Sequence, residues 1–163
     1  MHQEAYPLWP AIRPIVRPAR KDDIPALIAL GQEGIDQCLV PDTPIDTAYL
    51  TEAWETILAR PDAAWHAVAE FQGELVGYTH GYVGSQWHTR KTMAYLCTMY
   101  IRKEHRSPPV FNEMVDSFTA WAKQVGAEAA WSCLTNGMGG PVIDRLWQRR
   151  GYHYVGTMYE RML

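Results

Sequence analysis

The chain has 163 residues, of which 47% are hydrophobic and 20% charged, and its formal net charge is −3. That length fits one domain and buries a core without disulfide or metal staples. The slightly acidic balance gives no support to a nucleic-acid partner, which would need a basic stripe or patch.

Nothing at Met1-His2-Gln3-Glu4 resembles a basic segment followed by an apolar run, and no stretch is apolar for long enough to cross a bilayer. The expectation is a cytoplasmic chain with no secretory signal and no membrane partner. Cys38, Cys97 and Cys133 make an odd count without paired spacing. Cys97 and Cys133 sit in apolar runs and read as buried free thiols, which suits a reducing compartment. His66, His80 and His88 lack metal-ligand spacing, so no metal is expected.

Residues 1–13 hold Pro7 and Pro10 and read as an irregular arm; residues 14–163 read as one domain. Ile15-Val16-Arg17 is a short strand. Lys21-Asp22-Asp23-Ile24-Pro25 reads as a helix start, with an Asp to cap and a proline suited to the first turn. Ile24, Leu27, Ile28 and Ile35 follow at helical spacing. Pro41-Asp42-Thr43-Pro44 breaks that helix, and a second carries Tyr49, Leu50, Trp54, Ile57 and Leu58 on one face. The period then drops to two. Trp65, Ala67, Ala69 and Phe71 alternate with His66, Val68 and Glu70, Gln72-Gly73 is a turn, and Leu75 to Val83 is extended again, a hairpin. Met93 to Arg102 is apolar on both faces, as a central strand should be.

Val110, Phe111, Met114, Val115, Phe118, Trp121, Ala122 and Val125 then form one broad helical stripe, closed by Gly126. Ala130 to Leu134 is a strand. Val142 to Arg150 is a short helix stopped by Gly151. Tyr152 to Leu163 is a last extended segment. The order is β-α-α-β-β-β-α-β-α-β, an α/β fold.

Three stretches resemble the GNAT superfamily of acyl-CoA-dependent N-acyltransferases. Met99-Tyr100-Ile101-Arg102-Lys103-Glu104-His105-Arg106 is similar to that family's central strand and following turn. Phe118 to Ala127 resembles the helix after its cofactor loop. Leu146-Trp147-Gln148-Arg149-Arg150-Gly151-Tyr152 is similar to its C-terminal ending. The resemblance implies a mixed, mostly antiparallel sheet flanked by helices. It also implies acetyl-CoA or another acyl-CoA as co-substrate, and a small-molecule or protein amine as acceptor. Met99 and Ile101 would bond the pantetheine arm through their backbone, and Asn136 would contact the same arm. Arg106 and the N–H groups of Ser107, Val110, Phe111 and Asn112 would hold the pyrophosphate, where a helix start favours anions.

Two departures stand out. The family's Arg/Gln-x-x-Gly-x-Gly/Ala loop corresponds here to Arg106-Ser107-Pro108-Pro109-Val110-Phe111, with Pro109 and Phe111 in place of the small residues, and each proline lacks an N–H. The tyrosine that serves many members as general acid corresponds to Trp147, which reads as a packing residue. Candidate proton carriers are therefore His80 and Glu70 as base and Tyr159 as substitute acid. The reading is an acyl-CoA-dependent N-acyltransferase. The alternative is a non-catalytic domain of the same fold that binds a partner or senses acyl-CoA. The apolar C-terminal strand is suited to pairing across a homodimer.

Overall fold

The computed structural model describes residues 13–37, 44–86, 88–132 and 140–156. The strands are β1 (Ile15–Pro18), β2 (Ala64–Phe71), β3 (Glu74–Ser85), β4 (Thr92–Ile101) and β5 (Ala129–Ser132). The helices are α1 (Ile24–Asp36), α2 (Thr47–Leu58), α3 (Pro108–Gln124) and α4 (Pro141–Arg149). The strands form one sheet in the order β1-β2-β3-β4-β5, antiparallel throughout except for the parallel pair β4–β5. This is the mixed, mostly antiparallel sheet flanked by helices that was expected.

The element order agrees with the sequence reading up to its last strand. Tyr152 to Gly156 form no strand, and residues 157–163 lie outside the described ones. The first helix starts within the stretch read as its start, with Pro25 in its first turn, but lacks the expected cap bond from an Asp side chain. Lys21–Asp23 is a single 3₁₀ turn, and α1 begins at Ile24. The Asp23 carboxylate accepts from the Arg20 N–H and is gripped by both terminal nitrogens of Arg17, at 2.8 and 2.9 Å. It therefore does not cap α1. The true side-chain cap belongs to α2, where Asp46 accepts from the Tyr49 N–H at 2.9 Å.

The hairpin turn has both Gln72 and Gly73 at positive φ, 53° and 84°. Such turns match the right-handed twist of the flanking strands. The two faces of the sheet carry separate cores. On one, Met99, Ile101, Val76 and Leu96 pack against the whole α3 stripe, with Trp147 and Leu146 of α4 at its margin. On the other, Val68, Leu75, Tyr78 and Tyr100 pack against Leu27 and Leu30 of α1 and Trp54 of α2. Strand alternation sends neighbours Tyr100 and Ile101 to opposite cores. No residue of α2 is fully buried, so α2 is the more weakly docked wall of that face.

Candidate active site

The distinctive stretch is the second half of β4. Its pairing with β5 runs from Met93↔Ala129 to Leu96↔Ser132. At the same level the β3–β4 register shifts: Gly81 faces Leu96 while His80 faces Thr98, leaving Cys97 as the extra residue of a bulge. A bulge bends its strand and re-aims side chains, which is why bulges recur beside active sites. Gly81 is required here by close approach. A Cβ on it would lie 2.7 Å from both the Phe118 ring and the Tyr95 carbonyl oxygen. Cys97 is half-buried, not enclosed as the sequence suggested.

Met99 and Ile101 turn their side chains into the α3 core, at 5% and 7% exposure. Only their backbone could meet a ligand, and the Ile101 carbonyl already accepts from Arg106 Nε at 2.7 Å. After β4, Lys103–His105 makes a 3₁₀ turn, and α3 starts with Ser107 as its N-cap residue and Pro108 and Pro109 in the first turn. The four amides that an ordinary helix leaves unbonded would be those of Ser107, Pro108, Pro109 and Val110. Two are prolines, so Ser107 and Val110 are the donors left.

Phe111 corrects the expectation. Its N–H bonds to the Ser107 carbonyl at 3.1 Å, so it is spent inside the helix. Its ring is buried, edge-on to Trp147 with centroids 5.0 Å apart. Phe111 is therefore a core residue, neither a phosphate donor nor an obstruction. Asn112, one position deeper in α3, lies past the four amides a helix start offers.

The cations of this corner divide. Arg102 is held by Glu33, with contacts of 2.9 and 2.7 Å, and by Glu74. Those two carboxylates push its pKa up and leave it a structural ion pair between β4 and α1. Arg102 in turn holds the Glu33 carboxyl below its ordinary range. Lys103 is exposed. Arg106 bonds Ile101 O through Nε and Gln37 Oε1 through Nη2, at 2.9 Å. Of its five N–H groups, three have no bond to a described residue, and they are available to an anion.

His80 stands at the bulge. It faces His66 across β2–β3. The two rings stack with centroids 4.6 Å apart, and their Nδ1 atoms approach to 3.1 Å. Trp54 of α2 meets both rings edge-on, at 4.8 Å from His66 and 6.1 Å from His80. Burial lowers the pKa of His80, partly offset by the Trp65 carbonyl. Burial, with the His80 charge second, pushes His66 down to about 3. Both rings are neutral near pH 7, with one Nδ1 donating and the other accepting. His66 Nε2 is buried without a partner among the described residues.

The other candidates separate from this place. Glu70 lies where β2 pairs with β1, bonded to Arg17 Nε at 2.7 Å, so it serves an ion pair. Trp147 packs between Phe111 and Tyr152, with centroids 5.0 and 4.7 Å away. Tyr159 and Asn136 lie outside the described residues, as do Cys38, Trp87 and Cys133. The sequence reading missed His66 as the partner of His80, and Gln37 as a partner of Arg106. A polar residue at a helix end carries no signal that could have found Gln37. Among the described residues there is no group of three or more His, Cys, Asp or Glu placed to hold a metal, and no helix is long and apolar enough to cross a membrane.

Comparison with known structures returns the same architecture. The chain is similar to glucosamine-6-phosphate N-acetyltransferase from Arabidopsis thaliana, at 12% identity and a TM-score of 0.72, covering 91% of this chain and 97% of that one. It is similar to ribosomal-protein-alanine N-acetyltransferase from Brucella melitensis, at 16% identity and a TM-score of 0.66, covering 93% and 99%. It is also similar to a predicted acetyltransferase from Clostridium acetobutylicum solved with acetyl-CoA, at 17% identity and a TM-score of 0.70, covering 91% and 96%. A search of curated proteins by sequence finds no significant match. Residues 32–152 match the acetyltransferase (GNAT) family, and the span of that match, most of the described sheet with α3 and α4, shows that the chain belongs to this family.

Proposed function

We propose that the chain is an N-acyltransferase that moves an acetyl or other acyl group from acyl-CoA to the amine of a small molecule or protein. Family membership supports acyl transfer as the reaction class. The observation that carries the reading is the course of β4. It bulges at Cys97 and leads through Arg106 into the start of α3. A thioester carried along that strand would have its phosphates beside Arg106 and the Ser107 and Val110 N–H groups.

In this reading the acceptor nitrogen attacks the thioester carbonyl carbon. A C–N bond forms, the C–S bond breaks, and CoA leaves as a thiolate that must gain a proton while the amine loses one. His80 is the titratable side chain at the bulge, and its lowered pKa keeps it neutral and able to take the amine proton near pH 7. The leaving thiolate is protonated by Tyr159 or by solvent, since the indole of Trp147 carries no suitable proton. Replacing His80 with asparagine is expected to lower the turnover rate by roughly 100-fold. The wild-type acid limb should have its midpoint below the ordinary histidine value of 6.5, because the neutral form persists to lower pH.

A second reading has its own observation. The two prolines of α3 and the packed Trp147 leave a thinned phosphate cradle and no family tyrosine. A domain that binds acyl-CoA without turning it over would look like this. Free-thiol release from a panel of acyl-CoAs, with and without amine acceptors, separates the two. Amine-dependent release supports the enzyme; calorimetric binding without release supports the sensor. Arg106→Ala is expected to weaken acyl-CoA binding by roughly 10- to 100-fold, the worth of a charge-assisted bond. Unchanged binding in that variant would remove Arg106 from the cradle.

A further inference from the structure

We propose that Gln37, the residue that ends α1, is a positioning residue for Arg106 and so ties cofactor binding to α1. The proposal rests on the assignment of Arg106 to the phosphates. An exposed arginine samples many rotamers, and ordering it on a ligand has an entropic cost. Here that cost is met before any ligand arrives. Arg106 Nε donates to Ile101 O at 2.7 Å, Nη2 donates to Gln37 Oε1 at 2.9 Å, and the guanidinium carbon sits 6.0 Å over the Tyr100 ring. Two bonds and a ring contact fix the plane of the fork.

Gln37 is itself fixed. Its Nε2 donates to the Tyr100 hydroxyl at 2.7 Å, which sets the amide so that Oε1 faces Arg106. Tyr100 is fully buried and does not yield. Its backbone belongs to β4, and Gly34 of α1 lies flat against its ring, where a Cβ would sit 3.4 Å from the nearest ring carbon. One turn earlier on the same face of α1, Glu33 holds Arg102. The last turn of α1 is therefore joined to the loop between β4 and α3 by two side chains with different duties. Glu33 anchors the helix, and Gln37 aims the cation. Because α1 also walls the face that carries Trp54, His66 and His80, a ligand that shifts α1 would alter the aim of Arg106.

The test is calorimetric titration of CoA into four full-length proteins: wild type, Gln37→Ala, Arg106→Ala and the double variant. Gln37 is exposed, so its loss leaves the fold intact, and thermal melting without ligand provides the check. Gln37→Ala is expected to raise the Kd for CoA by about fivefold, the worth of one ordering hydrogen bond. In the Arg106→Ala background the same change should have no further effect. A wild-type Kd in Gln37→Ala overturns the proposal. So does a further fivefold loss in the double variant, since Gln37 would then act independently of Arg106. If Arg106→Ala itself binds CoA as wild type does, the phosphate assignment fails, and this proposal with it. That pattern differs from either failure of Gln37 alone.

Discussion

Phe118→Ala is expected to destabilise the fold by about 3–5 kcal/mol, the usual loss for a fully buried phenylalanine. Phe118 has no exposed surface. Its ring lies over Gly81, where even a methyl group would come within 2.7 Å of it, and it packs on Trp121 with centroids 5.9 Å apart. The neighbours cannot collapse into the space left behind. One wall is sheet backbone at the bulge, and another is Trp121, held by its indole N–H on the Pro61 carbonyl at 2.8 Å. A cavity term therefore adds to the lost transfer energy. Denaturant unfolding should show a lower midpoint at unchanged slope, and thermal unfolding a fall of roughly 10 °C. A loss under 1 kcal/mol would mean that α3 is not packed on the bulge as described.

Acid is expected to unfold the chain earlier than its carboxylates alone would require, and His66 is the reason. Its folded pKa is depressed, by burial first and the His80 charge second, to about 3 from an ordinary 6.5. The sign follows from proton counting. Below 6.5 the unfolded chain takes up a proton that the folded chain refuses, so the unfolded state binds more protons and stability falls as pH falls. The contribution is fully present above 6.5 and is lost progressively between 6.5 and about 3. At pH 4 it amounts to roughly 3 kcal/mol from His66, and the lowered pKa of His80 acts in the same direction. Asp23 and Glu33, both held low by their arginine partners, add their loss at more acid pH, where carboxylates begin to protonate. Stability measured at intervals from pH 7 to pH 4 should thus fall before the carboxylates titrate. His66→Phe should flatten that region. A variant with the wild-type slope between pH 6.5 and pH 5 would show that His66 does not titrate as described.

Much of the scaffold was legible in the residues because it rests on short-range periodicity. The α3 stripe is a run of apolar positions that one helix face must bury, and seven of its eight residues are buried in the structure, Val125 being partly covered. The hairpin was legible because Gln72-Gly73 sits between two alternating runs. The Trp147 position was readable as packing because an indole offers no titratable proton.

Register was not legible. Counting outward from the turn, Phe71↔Glu74 and Glu70↔Leu75 would bring His66 opposite Thr79. The irregularity between Ala69 and Glu70 adds one residue to β3 and sets His66 against His80 instead. A second irregularity, at Cys97, decides where β4 bends. A bulge depends on what packs above it, here Phe118 over Gly81, and no local pattern encodes that contact. The same holds for Arg106. Its sequence position beside a helix start pointed to phosphate, but whether its fork is aimed depends on Gln37, 69 residues away in the chain.

The sequence by itself determined the α/β class, the element order up to the last strand, and the apolar faces, because periodicity and turn chemistry act over a few residues. Only the tertiary structure decided that the Phe111 ring meets Trp147, that Glu70 and Arg102 are bound in ion pairs, and that His66 and Gln37 stand beside His80 and Arg106. Those facts depend on which strands and helices meet, and long-range packing sets that.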